Sequence, residues 1–242
     1  MNTLITIDKD PIGSAILDYF SGNKADNIEV ITNVALDEDL DPGYFFRTFD
    51  DMPEIEKLAL QLCSGKVLDV GAGAGSHALY LQENSFEVFA LDVSPLSVEL
   101  MKKRGVKNVL LQNFYSIKNE KYDTLLFLMN GFGMSAKLKN VVPFLKHCMS
   151  LLNDDGQIIF DSSDLKYLHE QEDGSYIFDL NASYYGEVTY QLNYKNVKGE
   201  PFDWLFLDVD KLRTICDEQN WALDVIMEDS HYQYLARISK TA

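Results

Sequence analysis

The stretch that decides the fold of this 242-residue chain is VLDVGAGAGSH, residues 67–77. It runs from an apolar segment through three alternating glycines into a segment with helical spacing. Glycine lets the backbone turn sharply and lets a ligand approach without a Cβ in the way. Asp92 follows at the expected end of the next strand, where a carboxylate can accept hydrogen bonds from both hydroxyls of a ribose. The loop and the acid together predict a nucleoside site.

The spacing of the glycines bears on which nucleoside binds. A dinucleotide fingerprint has its third glycine or alanine at position 76 and places pyrophosphate at the helix N-terminus. Here Ser76 stands at that position, and Gly75 comes one residue earlier. This weighs against an NAD-dependent oxidoreductase, which stays open as an alternative, as does a tight strand-helix turn that binds nothing.

Short β-branched runs alternate with helix-like segments from residue 67 onward, which is typical of βαβ units and a parallel sheet. We predict five strands, at residues 66–70, 87–92, 108–113, 122–130 and 157–161, separated by helices at 75–83, 95–104 and 140–152. A hairpin at 184–194 and 201–207 follows, then a helix at 208–220 and two last strands at 222–227 and 232–238. The pattern predicts a Rossmann-like, doubly wound α/β fold with a seven-stranded, mostly parallel sheet and an antiparallel last strand.

The organisation of the chain predicts a single domain over residues 1–242. Helical patterns around 14–20 and 53–63 lie ahead of the sheet. We therefore expect an N-terminal helical cap segment at 1–52 and a Rossmann-like core at 53–242. The inserted hairpin lies near 184–207. The sequence contains no repeat, low-complexity tract or linker.

Composition and charge exclude several classes of partner. The net charge of -17 opposes binding to nucleic acids and anionic membranes, because such binding normally uses Lys and Arg. The sequence contains no apolar run of about 18 residues and no export signal, so we expect a cytoplasmic protein. The histidines and cysteines are widely spaced along the sequence, so we predict neither a metal site nor a disulfide. These residues are His77, His147, His169, His231, Cys63, Cys148 and Cys216.

The pattern Asp69-x-Gly71-x-Gly73-x-Gly75, with Asp92 ending the second strand, resembles the first two motifs of the class I S-adenosylmethionine-dependent methyltransferases. The resemblance extends from about residue 55 to the end of the chain. It implies S-adenosyl-L-methionine as cofactor, with its ribose on Asp92 and its amino group near Asp69. The cofactor-binding residues expected on this ground are Asp69, Gly71, Ala72, Gly73, Gly75, Asp92, Val93, Asn113, Phe114 and Asn130.

Two asparagines have more specific roles in this resemblance. Asn113 stands where relatives often carry an acid that contacts the adenine amino group, and its side-chain carbonyl can accept the same hydrogen bond. Asn130 ends the fourth strand, where the transferable methyl group is expected. It is therefore a catalytic candidate, with the alternative that it only shapes the turn.

The acceptor side of the site is predicted from four residues. Asp164, after the fifth strand, is a candidate base for the acceptor proton or a cap for the following helix. Tyr44, Arg47 and Tyr185 are substrate candidates. Arg47 has two alternatives: pairing with the cofactor carboxylate, or packing its stem on neighbouring aromatic rings.

The function that follows from the resemblance is in-line methyl transfer, in which alignment within a water-poor pocket supplies much of the acceleration. We expect a small-molecule methyl acceptor, and the sequence leaves the oligomeric state open. An alternative is a cofactor-binding module that has lost catalysis. The inserted hairpin is expected to form a lid over the acceptor.

Overall fold

The computed structural model describes residues 4–35, 38–178 and 181–241. The helices are α1 (Pro11–Phe20), α2 (Glu54–Leu62), α3 (Ser76–Glu83), α4 (Pro95–Arg104), α5 (Val141–Ser150) and α6 (Val209–Gln219). The strands are β1 (Ile28–Thr32), β2 (Glu38–Leu40), β3 (Lys66–Val70), β4 (Glu87–Asp92), β5 (Val109–Leu111), β6 (Tyr122–Phe127), β7 (Leu152–Ser163), β8 (Glu187–Tyr194), β9 (Val197–Lys198), β10 (Phe202–Leu205), β11 (Trp221–Glu228) and β12 (Gln233–Lys240).

Seven strands form the main sheet in the order β11-β12-β7-β6-β3-β4-β5. Strands β3 to β7 pair in parallel, whereas β12 is antiparallel to both of its neighbours. The predicted doubly wound, seven-stranded α/β fold is therefore confirmed, including the antiparallel last strand. Because all five parallel strands run in one direction, their carboxyl ends meet at one edge of the sheet, where ligands bind in such folds.

The bounds of β3 and β4 match the prediction, whereas β5 spans only Val109–Leu111 of the predicted 108–113, and β6 and β7 differ as well. The helix predicted at 140–152 ends at Ser150, because Leu152 already begins β7. β6 ends at Phe127 rather than at residue 130, because Met129 and Asn130 have φ of +57° and +55° and cannot continue an extended strand. β7 begins at Leu152, five residues before the predicted start, with an irregularity in its pairing to β6. The left-handed backbone of Met129 and Asn130 therefore keeps β6 from extending to residue 130.

Apolar layers cover both faces of the main sheet. Along β3, Val67 belongs to the layer under α2, α3 and α4, whereas Leu68 belongs to the layer that contains Phe144 of α5 and Leu212 of α6. Successive side chains of a strand point to opposite faces, so the apolar run in β3 fills both layers. None of the described helices is long and apolar enough to cross a membrane.

A second sheet, the cap sheet, has the order β10-β8-β1-β2, with β9 attached to β8. The segment at 1–52 was predicted to be a helical cap, but it also contributes β1 and β2. The predicted hairpin contributes β8 and β10, which pair antiparallel. β1 joins the two parts, because Val30 pairs with Leu192. The insertion is therefore not an isolated hairpin but half of a sheet that the N-terminal segment completes.

The N-terminal segment also lies across the carboxyl end of β4. The Ile5 amide donates to the Val93 carbonyl at 3.1 Å. Ser94 donates to Asp10, which caps α1 through the Gly13 amide. Contacts between α1 and α4 extend this packing. The edge of the sheet that carries the glycine loop is therefore covered by residues from the start of the chain.

Candidate cofactor and acceptor sites

The glycine loop turns the chain between β3 and α3. Gly71 has a φ of +76°, and no atom lies within 4 Å of the position a Cβ would take. A ligand can therefore approach the backbone closely at this point. The amides of Gly71 and Ala72 both donate to the Leu91 carbonyl, at 2.9 and 3.0 Å, and this fixes the loop to β4.

Asp92 faces the glycine loop from the end of β4. Its Oδ2 accepts a hydrogen bond from the Gly73 amide at 2.9 Å, and its Oδ1 accepts one from the Ser94 amide at 2.8 Å. Burial raises the pKa of this carboxyl to about 6. Each carboxylate oxygen has two acceptor sites, so Asp92 can hold the loop and still accept hydrogen bonds from ribose hydroxyls.

A cluster of ionisable side chains gathers near the carboxyl ends of β3 and β7, with members from α2, from α3 and from the segment ahead of α2. We call it the charged cluster; its members are Arg47, Glu56, Asp69, His77 and Asp161. Arg47 Nη2 donates to both Glu56 oxygens, at 2.6 and 2.8 Å. His77 Nε2 lies 2.8 Å from Glu56 Oε2. Burial opposes the charge on Glu56, but its contacts with His77 and Arg47 outweigh burial and lower its pKa.

Some atoms of the charged cluster have no hydrogen-bond partner among the described residues. These atoms are Nε and Nη1 of Arg47 and Oδ2 of Asp69, and all three are buried. Burial raises the pKa of Asp69 to about 6. Unsatisfied buried polar groups are costly, and a ligand with a carboxylate and an ammonium group would satisfy them. The cluster therefore fits the amino-acid end of S-adenosylmethionine.

The residues predicted at the adenine follow β5. Asn113 Oδ1 accepts a hydrogen bond from the Tyr115 amide at 2.9 Å and so caps the short 3-10 helix Phe114–Ser116. The Phe114 ring is buried against Phe127 and Phe144. The contacts of Asn113 and Phe114 with the cofactor stay predictions.

Asn130 joins the end of β6 to the cap sheet. Its side-chain oxygen accepts from Ser162 Oγ at 2.8 Å, and its Nδ2 donates to the Leu205 carbonyl at 3.3 Å. Its backbone carbonyl accepts from Trp204 Nε1 at 3.0 Å. These contacts agree with the turn-shaping alternative, and the catalytic role of Asn130 stays a prediction.

Asp164 and Tyr185, both predicted to lie on the acceptor side, are in direct contact. Asp164 Oδ1 accepts from the Lys166 amide at 2.9 Å and from the Tyr185 hydroxyl at 2.8 Å. The capping alternative therefore describes the contacts of Asp164, although the short helix it caps, Leu165–His169, is 3-10. Tyr44, the remaining substrate candidate, stacks under the Arg47 guanidinium, whose carbon lies 3.3 Å from the ring centroid. The substrate roles of these residues stay predictions.

Asp161 is a candidate that the sequence pattern did not single out. Its two oxygens accept from the Asn130 amide, at 3.1 and 3.0 Å, and most of its surface is buried. Burial raises its pKa to about 7, and the charge of Glu56 contributes. The predicted strand at 157–161 ends on this residue, so the signal that identified Asp92, an acid at a strand end, was present here as well.

A cavity of about 460 Å³ lies between the cap sheet and the carboxyl edge of the main sheet. Aromatic rings line much of it, from Tyr167, Tyr190, Phe206 and Tyr232. Ser163 lines it from β7, and Asp161 faces the same side of that strand because side chains alternate. Two residues of strand span roughly 7 Å, so Asp161, a member of the charged cluster, precedes the cavity-lining Ser163 by about that distance along β7.

Together these features are typical of a nucleoside-binding α/β domain, and the charged cluster beside the glycine loop fits the amino-acid end of a nucleoside ligand. A family model described as a methyltransferase domain matches residues 67–156. The chain is 41% identical to an S-adenosylmethionine-dependent methyltransferase from Bacteroides fragilis, solved in complex with S-adenosyl-L-homocysteine, with a TM-score of 0.93. That alignment covers 100% of this chain and 99% of the relative. The chain belongs to the S-adenosylmethionine-dependent methyltransferases, and S-adenosylmethionine is its cofactor.

Two further relatives are more distant. An uncharacterized methyltransferase from Staphylococcus carnosus is 25% identical over 178 residues, which cover 73% of this chain and 79% of that protein. A 23S rRNA (uracil(747)-C(5))-methyltransferase from Pyrococcus horikoshii is 35% identical over 92 residues. That match covers 35% of this chain and only 22% of the rRNA enzyme. The comparisons support the methyltransferase over the NAD-dependent oxidoreductase.

Proposed function

We propose that this methyltransferase acts on a small-molecule acceptor bound in the cavity under the cap sheet. The cavity carries the proposal, because its volume of about 460 Å³ falls within the range of roughly 300–1,000 Å³ typical of small-ligand sites. The net charge of -17 supports the same choice, since it disfavours RNA, the substrate of the relative from Pyrococcus horikoshii. We further propose a single domain and a cytoplasmic location.

The residues that hold the cofactor would be the glycine loop, Asp92 at the ribose, and Arg47 and Asp69 at the amino-acid end. When bound, S-adenosylmethionine supplies an electrophilic methyl group on a sulfonium. The cap sheet would exclude water from the acceptor, which favours an in-line approach. Asp161 would take the proton that an amine or hydroxyl acceptor loses as its new bond to carbon forms. A pKa of about 7 suits a general base at neutral pH.

The class of acceptor can be tested with methyl-labelled S-adenosylmethionine and a bacterial cell extract separated into small-molecule, RNA and protein fractions. We expect the label in the small-molecule fraction. Thr32→Phe, which places an aromatic ring at the wall of the cavity, should reduce this labelling. Thr189→Phe is the matched control, because Thr189 is exposed on the neighbouring strand of the cap sheet and does not line the cavity. Labelling of RNA or protein instead would contradict the proposal.

The role of Asp161 has its own test once an acceptor is found. Asp161→Asn keeps the size of the side chain but is a far weaker base. We expect methyl transfer by this variant to fall by about 10²- to 10⁴-fold, a much larger change than any in its affinity for S-adenosylhomocysteine. Weaker binding of S-adenosylhomocysteine with unchanged turnover would assign Asp161 to the cofactor instead.

A further inference from the structure

We propose that Glu56 and His77 are positioning residues for the cofactor: they hold the Arg47 guanidinium at the start of α3, where its unpaired N–H groups can bind the cofactor carboxylate. Both residues lie outside the two motifs that identified the cofactor site, which are the glycine loop and Asp92. The proposal concerns cofactor binding alone, so it stands whether the acceptor is a small molecule or not.

The structure fixes Arg47 from several directions. Tyr44 covers one face of the guanidinium, and both carboxylate oxygens of Glu56 accept hydrogen bonds from Nη2. The main chain just before Arg47 is tied to the glycine loop, because Ser76 Oγ donates to the Phe45 carbonyl at 2.7 Å. With Nη2 engaged, Nε and Nη1 are the buried nitrogens without a partner among the described residues. The guanidinium is therefore held beside the loop with hydrogen-bonding capacity left over.

Burial makes these contacts strong. The side chains of Arg47, Glu56 and His77 are only 12%, 4% and 11% exposed, so bulk water screens their charges little. A surface ion pair between the same residue types would contribute almost nothing. Loss of Glu56 should therefore let the Arg47 guanidinium move away from the start of α3.

His77 sets how much positive charge Arg47 retains. Burial opposes protonation of His77, but its hydrogen bond to Glu56 and the charges of Asp69 and Glu56 outweigh burial and raise its pKa. When His77 is protonated, Glu56 is shared between two cations, and Arg47 is not fully neutralised. When His77 is neutral, Glu56 pairs with Arg47 alone. Asp161 from β7 is the remaining titratable group of the cluster.

Two ligands separate this proposal from a purely structural role. S-adenosylhomocysteine carries the amino-acid carboxylate, whereas 5′-methylthioadenosine has the same nucleoside and sulfur but no amino-acid group. Calorimetry should show that Glu56→Gln and His77→Gln each weaken S-adenosylhomocysteine binding by about tenfold, the value of one hydrogen bond to a charged group. The affinity for 5′-methylthioadenosine should change by less than about twofold, because this ligand has no carboxylate for Arg47 to bind.

Glu54→Gln is the matched control, because Glu54 lies on the same helix, α2, but is exposed. It should leave both affinities unchanged. Equal weakening of the two ligands in the Glu56 and His77 variants would assign them to the fold of the loop and overturn the proposal. Unchanged binding of both ligands would overturn it as well.

A pH series on the unaltered protein keeps the proposal testable if Glu56→Gln does not fold. Above about pH 7, where Asp69 with its pKa of about 6 is already ionised, loss of the His77 proton should lower the affinity for S-adenosylhomocysteine relative to that for 5′-methylthioadenosine. His77→Gln, which retains a neutral donor for Glu56, should remove that dependence. A ratio of affinities that is constant with pH in the unaltered protein would overturn the proposal.

Discussion

Replacing Asp92 by asparagine should weaken cofactor binding strongly while preserving the shape of the side chain. The carboxylate accepts the amides of Gly73 and Ser94 on its two oxygens. Asparagine offers one acceptor oxygen and one NH₂ group, so one amide loses its acceptor and the ribose loses a charged one. At about 1.5–3 kcal/mol for a hydrogen bond to a charged group, the affinity for S-adenosylhomocysteine should fall by about 10- to 150-fold.

Calorimetry at neutral pH measures this change directly. Glu87→Gln is the control, since Glu87 is exposed at the opposite end of the same strand, and it should bind S-adenosylhomocysteine normally. Circular dichroism of Asp92→Asn without ligand establishes that the variant is folded. A folded Asp92→Asn protein that binds S-adenosylhomocysteine as tightly as the unaltered protein would refute the assignment of the ribose to this acid.

Three further outcomes are expected. Burial raises the pKa of Asp92 to about 6, and ribose binding favours the ionised carboxylate. Lowering the pH from about 7 to about 5 should therefore weaken S-adenosylhomocysteine binding by about tenfold. Calorimetry that shows tighter binding in acid would contradict this prediction. Gly186→Ala should lower the free energy of unfolding in urea by about 1–3 kcal/mol, because its Cβ would lie 1.8 Å from the Phe206 carbonyl oxygen; an unchanged urea midpoint would count against the packing described. Asp164→Ala should cost about 0.5–2 kcal/mol of stability through the lost cap while calorimetry gives an unchanged affinity for S-adenosylhomocysteine.

Residues that begin and end a helix made part of the fold predictable. The predicted bounds of α4 match the structure because Ser94 caps its first turn and Gly105 ends it with a φ of +92°. The glycine loop and Asp92 were predictable for the same reason, since the residues that shape that turn are close in sequence. The end of β6 was not, because the backbone of Met129 and Asn130 leaves the extended region without a glycine or proline to indicate it.

Long-range pairings account for what the sequence did not predict. β1 is short, and its partner β8 lies about 160 residues further along the chain. The charged cluster is dispersed in the same way, with Arg47, Glu56, Asp69, His77 and Asp161 on five separate segments. A single sequence carries no signal that brings such residues together, so only the fold reveals the cluster.

The pairing of β1 with β8 also has a consequence for synthesis of the protein on the ribosome. Val30 emerges early, but Leu192 follows only after about 160 further residues, which at about 5–20 residues per second takes on the order of 10–30 s. During that interval β1 exposes unpaired backbone groups of the kind that promote aggregation. The cap sheet over the cavity is thus among the last parts of the enzyme to assemble, and a nascent chain stalled before residue 187 would lack it.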